Sequence, residues 1–122
     1  MKTIDKHQVI QMHSMLLAST GGTEGLRDEA LLESALASAR QTFIGMDLYP
    51  TTISKIARIT FSLIQNHPFV DGNKRIGVFV MLTLLALNNI EVSFSNNDVV
   101  RIGLEIAAGR MSHNDLIEQI EK

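Results

Sequence analysis

The chain has 122 residues, 45% of them hydrophobic, which excludes a disordered polymer and suits one domain spanning residues 1–122. Its 11 basic and 13 acidic residues leave a formal net charge of −2, which excludes a broadly basic nucleic-acid-binding surface. With no cysteine there is no disulfide framework and no thiolate metal site.

The pattern is helical almost throughout. Asp5 caps a first helix, with Gln8 at the capping-box position, and Val9, Ile10, Met12, Leu16 and Leu17 follow at helical spacing. Gly21-Gly22 ends it. Asp28 caps a second helix with a stripe of Leu31, Leu32, Ala35, Leu36 and Ala39. The stretch from Gln41 to Pro50 sets Phe43, Ile44, Leu48 and Tyr49 around Gly45 and Asp47, the pattern of a small hairpin or flap. Thr51 or Thr52 caps a third helix that runs to about Asn66, with Ile53, Ile56, Ala57, Thr60 and Ile64 on one face. Pro68 cannot continue that helix, and it biases His67 toward an extended backbone.

A fourth helix starts near Asn73 and runs to about Asn88, apolar on nearly every side, as expected of the centre of a bundle. Its longest apolar run, Ile76 to Leu87, falls well short of the ~20 residues a membrane span needs. Ser95 and Asp98 open a fifth helix that ends at Gly109, and a short sixth begins near Ser112. The expected class is all-α, a bundle of about six helices with at most one small hairpin. Met1-Lys2-Thr3-Ile4-Asp5 has no apolar leader segment, so the expectation is a soluble cytoplasmic protein.

Between the third and fourth helices lies His67-Pro68-Phe69-Val70-Asp71-Gly72-Asn73-Lys74-Arg75. Such polar density is a poor choice for a purely structural joint inside a core, and it suits phosphate chemistry. A helix N-terminus carries unpaired N–H groups and a partial positive charge. Gly72 allows a sharp turn and close approach of a ligand. Asn73, Lys74 and Arg75 add an amide and two cations. Asp71 suits Mg²⁺, which usually takes only one or two protein carboxylates. His67 can accept a hydroxyl proton, and Phe69 reads as an anchor that pins the loop to the core.

The nonapeptide resembles the signature of the Fic/Doc (Fido) family, His-Pro-Phe-x-Asp/Glu-Gly-Asn-Gly-Arg. His67, Pro68, Phe69, Asp71, Gly72, Asn73 and Arg75 match it; Lys74 departs, and instead matches the Asn-Lys-Arg of the death-on-curing (Doc) toxin branch. Gly21-Gly22, Gly25-Leu26-Arg27-Asp28, Leu31-Leu32-Glu33-Ser34-Ala35-Leu36 and Ala107-Ala108-Gly109 also resemble Doc-like proteins, so the likeness covers essentially the whole chain.

The resemblance implies a Fic-type helical bundle that uses ATP and Mg²⁺. It implies His67 as general base, Asp71 as the metal residue, and Gly72, Asn73 and Arg75 as phosphate-binding residues. Lysine in place of glycine at position 74 is associated with a reversed nucleotide and with phosphoryl transfer to a threonine of translation elongation factor Tu. It further implies a small antitoxin whose disordered tail folds on binding. Lys74 favours a kinase; a Fic-type adenylyltransferase and a non-catalytic nucleotide- or partner-binding module are the alternatives. No membrane and no direct nucleic-acid partner are expected.

Other features are weaker. The Gln41–Pro50 segment reads equally as a target-docking flap or as a plain loop whose apolar residues cover the core. Thr20-x-x-x-Glu24-Gly25 matches the family's inhibitory pattern, but Gly21 and Gly22 disfavour the helix that pattern needs. His7, His13 and His113 read as surface residues. Arg101, Glu105 and Arg110 read as a solvated face.

Overall fold

Why the chain folds as it does is clearest at α4 (Asn73–Leu87), which packs on α1 (Lys6–Thr20), α3 (Thr52–Asn66) and α5 (Asn96–Ala107). Ile76, Val78, Val80, Met81, Leu84 and Leu85 of this helix are all buried, each side chain contributing ~1.5–3 kcal/mol relative to exposure. The computed structural model describes residues 1–122. The remaining helices, α2 (Glu29–Ala37) and α6 (His113–Glu121), pack on α3. A 3-10 turn over Ser38–Arg40 extends α2. One cluster of 22 buried hydrophobic residues runs from Ile4 to Ile120. The fold is all-α, as the sequence patterning implied. No helix is long and apolar enough to cross a membrane.

The closest helix pair is α3 with α4, and Gly77 is the reason. A Cβ there would stand 2.6 Å from Ile64 Cγ1, so only glycine lets the two backbones come this near. Capping boxes start α1 (Asp5, Gln8), α3 (Thr51, Ser54), α5 (Ser95, Asp98) and α6 (Ser112, Asp115). Asp28 caps α2 by accepting from the Leu31 N–H. Helix α4 differs: its N-cap is Gly72, which has no side chain to accept from the first turn.

The hairpin is present as β1 (Thr42–Phe43) and β2 (Met46–Asp47), antiparallel, with Thr42 opposite Asp47 and Phe43 opposite Met46. Ile44 and Gly45 both have positive φ, as a two-residue hairpin turn requires. Its apolar side chains do not cover the core: Phe43, Ile44, Met46 and Leu48 are all exposed. At its base, Lys55 donates to the Tyr49 carbonyl, and Tyr49 meets His113 edge to face at 4.9 Å.

Two of the histidines expected at the surface are packed inside. His113 is half-buried and donates from Nε2 to the Ser54 carbonyl at 3.0 Å. His13 is 3% exposed, because it shares one face of α1 with the buried Val9 and Leu17. That four-residue spacing is the signal that identifies it as an inward residue.

Candidate active site

Helix α3 ends at Asn66, and His67 turns the chain with φ 51° and ψ 56°. The extended backbone expected from the following proline is therefore replaced by the left-handed region. A non-glycine residue there costs about 1–2 kcal/mol, and the contacts around the loop must hold it. Several do. The Arg27 guanidinium donates to the carbonyls of His67 (2.7 Å) and Asn66 (3.0 Å). The backbone N–H groups of Arg27 and Asp28 both donate to the Pro68 carbonyl. Leu26 and Phe69 form an antiparallel bridge, and the Val70 N–H donates to Gly25. The segment before α2 thus runs beside the loop as a short brace. The imidazole-bearing residue His67 is itself exposed.

Beyond it, Phe69 is buried at 2% and stacks on the His13 ring, centroids 3.8 Å apart and planes 10° from parallel. His13 Nε2 lies 2.7 Å from the Asp71 carbonyl oxygen and donates to it. Asn73 closes the loop from the other side. Its Oδ1 accepts from the Phe69 N–H and its Nδ2 donates to the Phe69 carbonyl, both at 3.0 Å. Asn73 is 8% exposed, so its amide serves the loop's own backbone.

Asp71 projects from this braced loop. One carboxylate oxygen accepts from the Gly72 N–H at 2.8 Å, the other from the Thr23 N–H at 3.0 Å. These bonds, the Thr23 one foremost, hold its carboxyl below the usual carboxylate range; the Arg75 guanidinium, 3.7 Å away, adds to the effect. Gly22 makes the arrangement possible. At its φ of +122°, a Cβ would lie 2.7 Å from Asp71 Oδ2 and 3.1 Å from Arg75 Nη2.

Arg75 donates from Nη1 to Thr20 Oγ1 (2.6 Å) and to the Gly21 carbonyl (2.8 Å). Glu24, the acidic member of the inhibitory-like pattern, accepts instead from Ser14 Oγ at 2.7 Å. Lys74 is exposed, and with Arg75 it borders an apolar groove of about 330 Å³ lined by Leu16, Val78, Phe79 and Leu104.

The six residues singled out from the sequence are therefore contiguous on one loop and one helix start. Asp71, Gly72 and Arg75 meet directly. His67 stands at the far end of the loop, tied to the same brace. Sequence reasoning gave His13, Arg27, Gly22 and Thr23 no part in the site. They come from outside the nonapeptide, and only His13 carries a local sign of facing inward, its spacing from Val9 and Leu17.

As to ions, no group of three or more His, Cys, Asp or Glu is placed to hold a metal. A lone ionised carboxylate beside an uncapped helix start does fit Mg²⁺ shared with phosphates, since Mg²⁺ keeps waters and needs few protein oxygens. It does not fit a metal caged by protein alone. The class these features define is an all-α bundle with a braced polar loop at the head of α4.

The sequence model of the Fic/DOC family matches residues 3–85, which takes in the loop and most of α4. Toxin Doc of Mycolicibacterium smegmatis is 34% identical over 90 residues, covering 74% of this chain and 67% of that protein. The chain belongs to the Fic/Doc family.

Proposed function

We propose that the chain, acting as one domain over residues 1–122, is a Doc-like toxin that moves a phosphoryl group from Mg²⁺–ATP to a Ser or Thr hydroxyl of a protein target. Membership of the family and the likeness to a protein named Toxin Doc support the toxin reading. The observation that carries the kinase chemistry is Lys74, an exposed cation beside Arg75 at a helix start that has no side-chain cap. A glycine there would leave an open nest for phosphate; lysine fills part of that space and adds charge.

In this reading His67 takes the proton of the target hydroxyl. The hydroxyl oxygen bonds to the γ-phosphorus, the bond to the bridging oxygen breaks, and ADP leaves. Gly72, the first-turn N–H groups of α4, Lys74 and Arg75 hold the phosphates. Asn73 contributes by fixing the loop through Phe69. Asp71 would hold Mg²⁺, which when bound neutralises charge on the phosphates. Arg75 exchanges its bonds to Thr20 and Gly21 for the nucleotide.

Translation elongation factor Tu is the target to test first. The exposed hairpin, with Phe43, Ile44 and Met46, offers an edge on which an extended target segment can add. A small antitoxin with a disordered tail is the proposed inhibitor. Adenylyl transfer is the second reading, favoured by Gly72, Asn73 and Arg75, which match that branch equally well.

The test incubates the chain with Mg²⁺, ATP and elongation factor Tu and weighs the factor. Addition of one phosphate, lost in His67→Ala, supports the kinase. Addition of one adenylate replaces the chemistry but keeps the site. No addition, with no ATP binding by calorimetry, defeats the catalytic reading.

A further inference from the structure

We infer that Arg27 is a positioning residue for His67, acting through the backbone at the C-terminal end of α3. The inference deepens the reading of His67 as base and rests on it. A helix end leaves its last carbonyls without partners, and these are commonly closed by N–H groups of the residues that follow. Here the residue after His67 is Pro68, which has no N–H to give. The loop therefore needs a donor from elsewhere, and Arg27, 40 residues away in sequence, supplies two. Its Nε donates to the His67 carbonyl at 2.7 Å and its Nη2 to the Asn66 carbonyl at 3.0 Å.

Arg27 has no carboxylate partner; none of the five ion pairs of the chain includes it. Its fork is committed to two successive carbonyls, and its positive charge sits at the negative end of the α3 dipole. Its own N–H donates to the Pro68 carbonyl at 2.8 Å, which fixes the arginine backbone to the same three-residue stretch. Asn66 Nδ2 donates to the Leu31 carbonyl, tying the end of α3 to α2. The left-handed conformation of His67 is thus held by carbonyl contacts rather than by its own ring. Lysine cannot replace the arginine, because one ammonium on a flexible stem does not reproduce a planar fork across two carbonyls.

The test compares Arg27→Ala, Arg27→Lys and Arg27→Gln with the wild-type chain by transfer kinetics, and by NMR of the His67 Cα and Cβ shifts, which report φ and ψ. The Ala and Lys variants are expected to lose about 10- to 100-fold in kcat with the KM for Mg²⁺–ATP changed less than about two-fold. The His67 shifts are expected to leave the left-handed range. Gln, able to donate to one carbonyl, retains part of the activity and, should Ala not fold, keeps the comparison available. Wild-type kcat in the variants, or His67 shifts that do not move, overturns the proposal. A wild-type chain that transfers nothing counts against the base reading, and the NMR shifts then decide the clamp alone.

Discussion

His13 of α1 donates to the carbonyl oxygen of Asp71 while its ring lies flat against Phe69, so one buried side chain holds both the apolar anchor of the loop and the backbone of its acidic residue. The two contacts come from opposite properties of imidazole, an apolar face and a polar edge. Leucine would keep the first and lose the second.

His13→Leu should therefore cost about 1–3 kcal/mol, because the Asp71 carbonyl loses its donor in a part-buried place. His13→Ala should cost more, since it also leaves a cavity against Phe69. Urea unfolding of both variants checks the order. Equal stability of wild type and His13→Leu would remove the hydrogen bond from the account.

Asn73→Leu should be among the most damaging single changes in the loop. It leaves the Phe69 N–H and carbonyl without partners in a buried setting, about 1–3 kcal/mol for each group. Asn73→Asp keeps the acceptor, and while its carboxyl is neutral the O–H replaces the amide donor, so at acid pH it should fall between Leu and wild type. Thermal unfolding across the two variants measures this.

Gly22→Ala and Gly21→Ala separate backbone strain from site geometry. Both glycines have positive φ, so both variants should lose about 1 kcal/mol or more. A Cβ on Gly21 meets nothing within 4 Å, whereas one on Gly22 enters the space of Asp71 and Arg75. Only Gly22→Ala should lose Mg²⁺–ATP affinity, by tenfold or more, in calorimetry. Equal affinities would mean that the Asp71–Arg75 arrangement is not what binds.

Asp71, Asp98 and Asp115 are all held below the ordinary carboxylate range, each first by a backbone N–H: that of Thr23, Ser95 and Ser112, respectively. A carboxyl with a lower pKa folded than unfolded contributes stability above its unfolded pKa and loses it as the pH falls toward the folded one. Stability should therefore be level near neutrality and decline from about pH 4 downward. Asp98→Asn should flatten that decline. An acid-unfolding curve as steep in the variant as in the wild type would contradict it.

Helix positions were legible because each rests on local chemistry. Asp5 with Gln8, and Ser95 with Asp98, are self-contained capping signals, and the apolar run after Arg75 has no stable place except a core. The nonapeptide was legible for the same reason: its residues are adjacent in sequence. His67 illustrates the limit. The local rule for a residue before proline points to extended backbone, yet carbonyl bonds from Arg27 hold it left-handed. The hairpin apolar residues show another: their grouping around Gly45 and Asp47 pointed to a hairpin, but not that they stand clear of the core.

The sequence by itself determined the helical class, the loop that carries the candidate chemistry and the family it resembles, because these depend on residues within one turn or one motif of each other. Only the tertiary structure decided which distant groups hold that loop. His13, Thr23 and Arg27 reach it from α1 and from the segment before α2, across 58, 48 and 40 positions of chain. Hydrogen bonds of that separation leave no local pattern, since their partners become neighbours only once the helices have packed together.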